Sequence, residues 1–277
     1  MAYFRWLEGE MEGHLIATDE ADARRQLDEP DDAILKLARL DGPHDGVDFR
    51  EADAVLGDSH AAWLAQRRLG VSLTETPNQR SSHLGGTPRL DAEQAWPGGD
   101  VPLPLLLELE LAELDADVGG TDLGLPKEGT LALFIDPERT SPAFAVRYTS
   151  MGAEPRSAPP GCPELPRRSL VGGLELTSPH PEDPALIELL GDDPELLDSY
   201  AAFYAEFATG GHCFLGHRRG FGGRDALEDG LIPLLQIRRD SGWCGETADE
   251  RYLILLISEA DLAALDFSRC RLVLQLD

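Results

Sequence analysis

Histidine, cysteine and arginine gather in one stretch of this chain: His212, Cys213, His217, Arg218, Arg219 and Arg224, followed by Arg238-Arg239 and Cys244. Imidazoles and thiolates bind zinc, but structural zinc sites present tight ligand pairs, and the spacing of His212, Cys213, His217 and Cys244 matches no such pattern. Neither a metal nor another cofactor is expected. Guanidinium groups grip anions through bidentate hydrogen bonds. His83, His212, His217, Arg218, Arg219 and Arg224 therefore form a candidate set for an anionic ligand. The competing reading pairs these cations with the chain's own surplus of acids.

A second set is acidic: Glu108, Glu110, Glu113, Asp115 and Asp117. Read as the outward face of a strand and the turn after it, these carboxylates are candidate contacts for a basic protein partner. Asp115-x-Asp117-x-Gly119-Gly120 has the opening of a calcium loop, but the position that requires a bidentate Glu is Pro126, which leaves a polar turn. Asp58-Ser59-His60 lacks the Gly-x-Ser-x-Gly elbow of a nucleophile, and Ser59 is better explained as a helix cap. No dinucleotide fingerprint or phosphate loop occurs, and Gly85-Gly86 and Gly222-Gly223 suit tight turns.

Composition narrows the class. The chain has 277 residues, 42% hydrophobic and 27% charged, as in a soluble globular protein. Lys+Arg number 24 against 51 Asp+Glu, a net charge of −27. Such a field repels nucleic acid and anionic membranes, whose binding depends on neutralising phosphates, and it speeds encounter with basic partners. No apolar run reaches the roughly 20 residues of a membrane span, and the first residues lack a secretory pattern. The four cysteines are scattered, which suits reduced thiols. The expectation is a cytoplasmic protein.

The elements that must position these residues follow from periodicity. Residues 1–48 read as a small ββα(β) unit: strands at Tyr3–Leu7 and His14–Ala17, a helix over Asp19–Leu27, and Ile34–Leu40 as strand or helix. Residues 49–277 read as the core. A helix runs from Ser59 to Leu69, closed by Gly70. Leu105, Leu107, Leu109 and Leu111 alternate with Glu108 and Glu110 in a half-buried strand. Strands follow at Thr130–Ile135 and Phe144–Tyr148, then at Leu170–Leu176. Pro184 and Pro194 start helices, the second with Tyr200, Phe203, Tyr204 and Phe207 on a core-facing stripe. Strands at Leu231–Arg238, Arg251–Ile257 and Arg271–Leu276 close the chain. The interval from His83 to Pro104 equals that from His212 to Pro233, and two further apolar runs follow each. The fold class is α+β: β-rich, mixed or antiparallel sheets built by internal duplication of a β unit, with the small N-terminal appendage.

Several of these stretches also carry a resemblance. His83-Leu84-Gly85-Gly86-Thr87-Pro88, Trp96-Pro97, Leu125-Pro126-x-x-Gly129-x-Leu131-x-x-Phe134-x-Asp136, Gly211-His212, Leu234-Leu235-Gln236-Ile237 and Asp261-Leu262-x-x-x-Asp266-Phe267-Ser268 resemble the YwqG-like family from about Gln79 onward. The resemblance implies a duplicated, β-rich α+β domain. It implies no known chemistry, although some members neighbour toxin and immunity genes. The chain departs from the pattern at Gly216-His217-Arg218-Arg219 and at Trp243-Cys244-Gly245-Glu246.

Two functions remain open at this level, beside a purely structural role. One is a non-enzymatic, immunity-type inhibitor whose acidic face covers a basic toxin. The other is a small-ligand binder or enzyme using the cleft between the β repeats, with His83, His212, Arg218 and Arg219 around it.

Overall fold

A computed structural model describes residues 2–8, 11–17, 36–40, 49–136, 143–150, 152–191, 193–207, 211–218, 230–239 and 251–276. Near the N-terminus, β1 (Ala2–Glu8), β2 (Met11–Ala17) and β3 (Lys36–Leu40) form an antiparallel sheet ordered β2-β1-β3. Residues 36–40, left open between strand and helix by the sequence, are strand. The helix expected over Asp19–Leu27 lies outside the described residues.

After α1 (Phe49–Leu56) comes α2 (His60–Gln66), which is shorter than the sequence suggests. Arg67 turns extended at ψ 145, and Arg68–Glu75 becomes strand β4. Gly70, Val71 and Leu73 of β4 are buried. The helix reading failed here because the apolar residues at 69, 71 and 73 keep a strand period, and tertiary pairing on both edges of β4 rewards it.

The remaining strands are β5 (His83–Leu84), β7 (Leu105–Glu110), β8 (Thr130–Ile135), β9 (Phe144–Thr149), β11 (Arg168–Thr177), β12 (His212–Leu215), β13 (Leu231–Arg239), β14 (Arg251–Ser258) and β15 (Arg271–Leu276). With β4 they make one ten-stranded sheet ordered β15-β14-β13-β12-β4-β11-β5-β7-β8-β9. Every neighbouring pair in it is antiparallel. The short strands β6 (Arg89–Leu90) and β10 (Glu154–Pro155) pair separately.

This order displays two matched wings with an exchange at the centre. Strand β4 precedes β5 in the chain, yet it pairs with β12 of the other wing; β11 precedes β12, yet it pairs with β5. The two exchanged strands pair with each other from Arg68↔Thr177 to Glu75↔Leu170. Each wing carries a register shift in its middle strand, between Leu105 and Leu107 and between Pro233 and Leu235. Left-handed backbone pairs match as well, at Gly85 and Gly86 (φ 57 and 77) and at Leu215 and Gly216 (φ 60 and 78). These landmarks correct the alignment drawn from the sequence. His83 corresponds to Cys213, not His212, and Pro233 corresponds to Leu105, not Pro104. Two one-residue errors of opposite sign cancelled, which is why the intervals agreed.

One apolar core joins both wings, with Leu107, Leu133, Leu235 and Leu255 in a single buried cluster. Each such leucine contributes about 1.5–3 kcal/mol when taken fully out of water. Phe267, in a 3₁₀ turn before β15, meets Tyr148 of β9 with ring centroids 6.3 Å apart. The sheet therefore folds over until its two ends approach.

Strand β7 is buried on both sides through Leu109, so the expected outward face is absent: Glu108 has no exposed surface. The strand also stops at Glu110, and α3 (Leu111–Asp117) takes Leu111 and Leu114 into the core. Leu111, Leu114 and Val118 keep helical spacing, a signal that the alternation before them obscured. The expected polar turn at Asp115 and Asp117 is the last turn of this helix.

A group of helices packs into a second apolar cluster. It comprises α1, α2, α4 (Pro184–Leu190) and α5 (Pro194–Phe207), both of the latter starting at the prolines that mark them in the sequence. Trp63, Leu186, Tyr200, Phe203 and Tyr204 pack there, so the described part of the aromatic stripe is core. The Trp63 indole donates to the Tyr200 hydroxyl at 3.0 Å, and that hydroxyl donates to the Pro179 carbonyl at 2.6 Å. Among the described residues no helix is long and apolar enough to cross a membrane.

Candidate functional site

Where β4, β11 and β12 end side by side, one hydroxyl ties them together. Thr177 Oγ1 donates to the Arg68 carbonyl at 2.9 Å and accepts the His217 N–H at 2.7 Å. The left-handed turn at Leu215 and Gly216 makes this possible by turning the chain sharply off β12. A Cβ on Gly216 would lie 2.7 Å from Thr177 Oγ1, so only glycine fits.

The turn delivers His217 and Arg218 to the start of α4. His217 Nε2 donates to the Gln66 carbonyl at 2.7 Å, while Nδ1 lies 3.4 Å from Asp183 Oδ2. Arg218 Nε donates to Asp183 Oδ1 at 3.0 Å, and its Nη2 lies 3.4 Å from Glu182. Asp183 also accepts the His180 N–H at 2.9 Å. Burial opposes the Asp183 charge, but hydrogen bonding and attraction from His217, with Arg218 behind, outweigh it and hold the carboxyl below its usual range. From the sheet side, Gln236 Nε2 donates to the His217 carbonyl at 2.8 Å.

This braced wall borders a cleft of about 530 Å³. Apolar surface comes from Pro179, Pro184, Leu231 and Ile232, and Arg68 and Glu259 lie exposed along it. Because β4 is exchanged, Arg68 reaches a cleft otherwise built mainly from the second wing. The volume falls within the range of small-molecule clefts, and the lining mixes apolar surface with a few placed polar groups.

Among the described residues of the predicted ligand set, His217 and Arg218 meet here, and His83 and His212 do not. His212 is buried in β12, where Nδ1 accepts the Arg238 N–H at 3.2 Å. His83 lies in the other wing, its Nδ1 2.7 Å from the Gly85 carbonyl. Arg219, Arg224 and Cys244 lie outside the described residues. Sequence reasoning passed over Arg68, Gln66 and Glu259 and read Asp183 only as a helix start. Nothing in their local patterns marks them, since strand exchange and helix docking bring them together. Ser59 occupies the N-cap of α2 without a side-chain capping bond, and His60 stacks on Trp63 at 5.8 Å. Among the described residues, no group of three His, Cys, Asp or Glu side chains is arranged to hold a metal.

The five carboxylates proposed as partner contacts are engaged within the fold. Glu108 accepts the Arg89 N–H at 2.7 Å and Nε–H at 2.9 Å, and Glu110 takes Arg89 Nη1 at 2.6 Å. Glu113 accepts the N–H groups of Ser81 and Ser82. Asp117 holds Arg80 at 2.6 Å and the Gly172 N–H at 2.9 Å, and Asp115 lies 3.2 Å from Lys127. A chain with surplus acid still spends these particular groups on loop positioning.

Two buried histidines make stability depend on pH. Burial, with repulsion from Arg167 for His83 and from Arg218 for His180, lowers both from 6.5 to about 4. Their folded values are depressed, so the stability they lend is present above 6.5 and is lost as pH falls toward about 4. The expected loss is on the order of 3 kcal/mol for each ring, from about 1.4 kcal/mol per unit. Urea midpoints measured across that window check this, and a flat profile contradicts it.

No curated protein matches the chain. The family described as Domain of unknown function (DUF1963) matches residues 82–275, starting after β4 and Arg68. That span takes in more than half of the chain and most of both wings, and the chain belongs to this family of unknown function.

Proposed function

We propose that this chain is a YwqG-like, cytoplasmic binding module that holds a small polar ligand in the cleft beside Arg68, without catalysing its conversion. The supporting observation is an exposed guanidinium bordering a cleft of about 530 Å³, along which His217, Asp183 and Arg218 are locked together. Free thiols at Cys162, Cys213 and Cys270 support a reducing compartment. Recognition of a basic partner, such as a toxin, is the second reading, favoured by the net charge of −27. It draws less support from Glu108, Glu110, Glu113, Asp115 and Asp117, which already hold cations or N–H groups.

Thermal denaturation against a panel of small metabolites separates the two. A ligand at 100 times its Kd stabilises by about 2.7 kcal/mol. The expected result is a rise in Tm with at least one compound, abolished in Arg68→Gln, whose own ligand-free Tm stays close to the parent. No rise with any compound, together with a protein partner captured at low salt and released at high salt, would transfer the function to the acidic surface.

A further inference from the structure

We infer that the ligand of this cleft is a zwitterion with an apolar body, a free amino acid or a short peptide with both termini uncapped. The inference rests on the reading of the cleft as a ligand site and narrows it to one chemistry.

The charges along the wall lead to it. The Arg218 side chain is 2% exposed and already faces Asp183 and Glu182. Asp183 is shared among Arg218, His217 and the His180 N–H, so neither group has charge to offer a guest. Arg68 and Glu259 differ. Both are exposed and both border the cleft. Neither side chain has an ion pair or hydrogen bond among the described residues, to each other or to anything else. Among the described residues, one free cation and one free anion therefore border the same mostly apolar space.

That combination discriminates by charge. A dianion such as phosphate would gain from Arg68 but meet Glu259 and the field of a protein at −27. A simple cation would gain from Glu259 and meet Arg68. A molecule that carries both a carboxylate and an ammonium answers both charges, with its side chains against the apolar lining of Leu231, Ile232 and Pro179. A cleft of about 530 Å³ has room for a dipeptide of ordinary residues.

Calorimetric titration of the full chain with leucine, with the dipeptide leucyl-alanine, and with C-amidated and N-acetylated forms of that dipeptide tests this. The uncapped dipeptide or leucine is expected to bind, and which of the two binds more tightly tells peptide from amino acid. Each cap is expected to weaken the parent protein's binding about tenfold or more, the scale of one hydrogen bond to a charged group. Amidation should cost nothing further in Arg68→Gln, and acetylation nothing further in Glu259→Gln. Equal binding of capped and uncapped forms overturns the inference. Arg68-dependent binding of inorganic phosphate or a monocarboxylate, with no binding of leucine or the dipeptide, overturns the zwitterion and leaves the ligand site standing. If no compound binds at millimolar concentration, both fall.

Discussion

Replacing Glu108 by alanine is expected to cost about 3–5 kcal/mol of folding stability, the scale for removing one partner of a buried ion pair. Glu108 has no exposed surface, and its two oxygens receive the Arg89 N–H at 2.7 Å and Nε–H at 2.9 Å. Truncation leaves a buried N–H unsatisfied and takes one counter-charge from Arg89, which retains only Glu110 at 2.6 Å. Glu108→Gln should lose less than half as much. In the other wing the matching position is Gln236, which holds the His217 carbonyl at 2.8 Å. An uncharged amide thus does the same work there, pinning the loop that follows the left-handed turn. Burial raises the Glu108 carboxyl above its usual range, outweighing Arg89. The native state therefore keeps the proton longer than the unfolded chain, and the charged side chain gives up stability as pH rises past the ordinary glutamate range. Glutamine removes that dependence. Urea midpoints at constant m-value measure both variants. An alanine variant as stable as the parent would refute the assignment.

Gly85→Ala is the second severe change. At φ 57 an alanine pays about 1–2 kcal/mol for the left-handed backbone. Its Cβ would also lie 2.3 Å from the Pro166 carbonyl oxygen and 2.6 Å from that of Leu165. Those are backbone atoms, so β5 or the segment leading into β11 must move, at about 1–3 kcal/mol more. The expected total is about 2–5 kcal/mol, read as a shift in the denaturation midpoint. The matching position in the other wing is Leu215, at φ 60. There the same backbone carries a side chain, because leucine joins the buried core at 8% exposure. Leu215→Gly therefore relieves the backbone while losing burial, and it should be the milder of the pair. Equal losses would mean that the two turns are not counterparts.

Much of the β architecture was readable from residue patterns alone. Strands at Thr130–Ile135, Leu231–Arg239 and Arg251–Ser258 follow from apolar runs of strand length. Helices at Pro184 and Pro194 follow from proline placement and aromatic spacing. The repeat of glycine-marked turns was legible too, although its alignment was one residue off. Strand β4 was not legible, since its sequence also continues a helical pattern and only pairing with β11 and β12 decides between them. The acidic strand misled for a related reason. Alternation of Leu with Glu reads as one wet face, but the Arg89 loop folds over that face and takes Glu108 inside.

The sequence by itself determined most of the longer strands, the duplicated unit, the proline-started helices and the acidity, because periodicity and propensity act within a few residues. Tertiary structure alone decided which carboxylates are engaged internally and that, among the described residues, Arg68 and not His83 or His212 borders the cleft. Those outcomes depend on which strands become neighbours. The exchange of β4 and β11 sets that across about a hundred residues of chain, a separation at which local pattern carries no information.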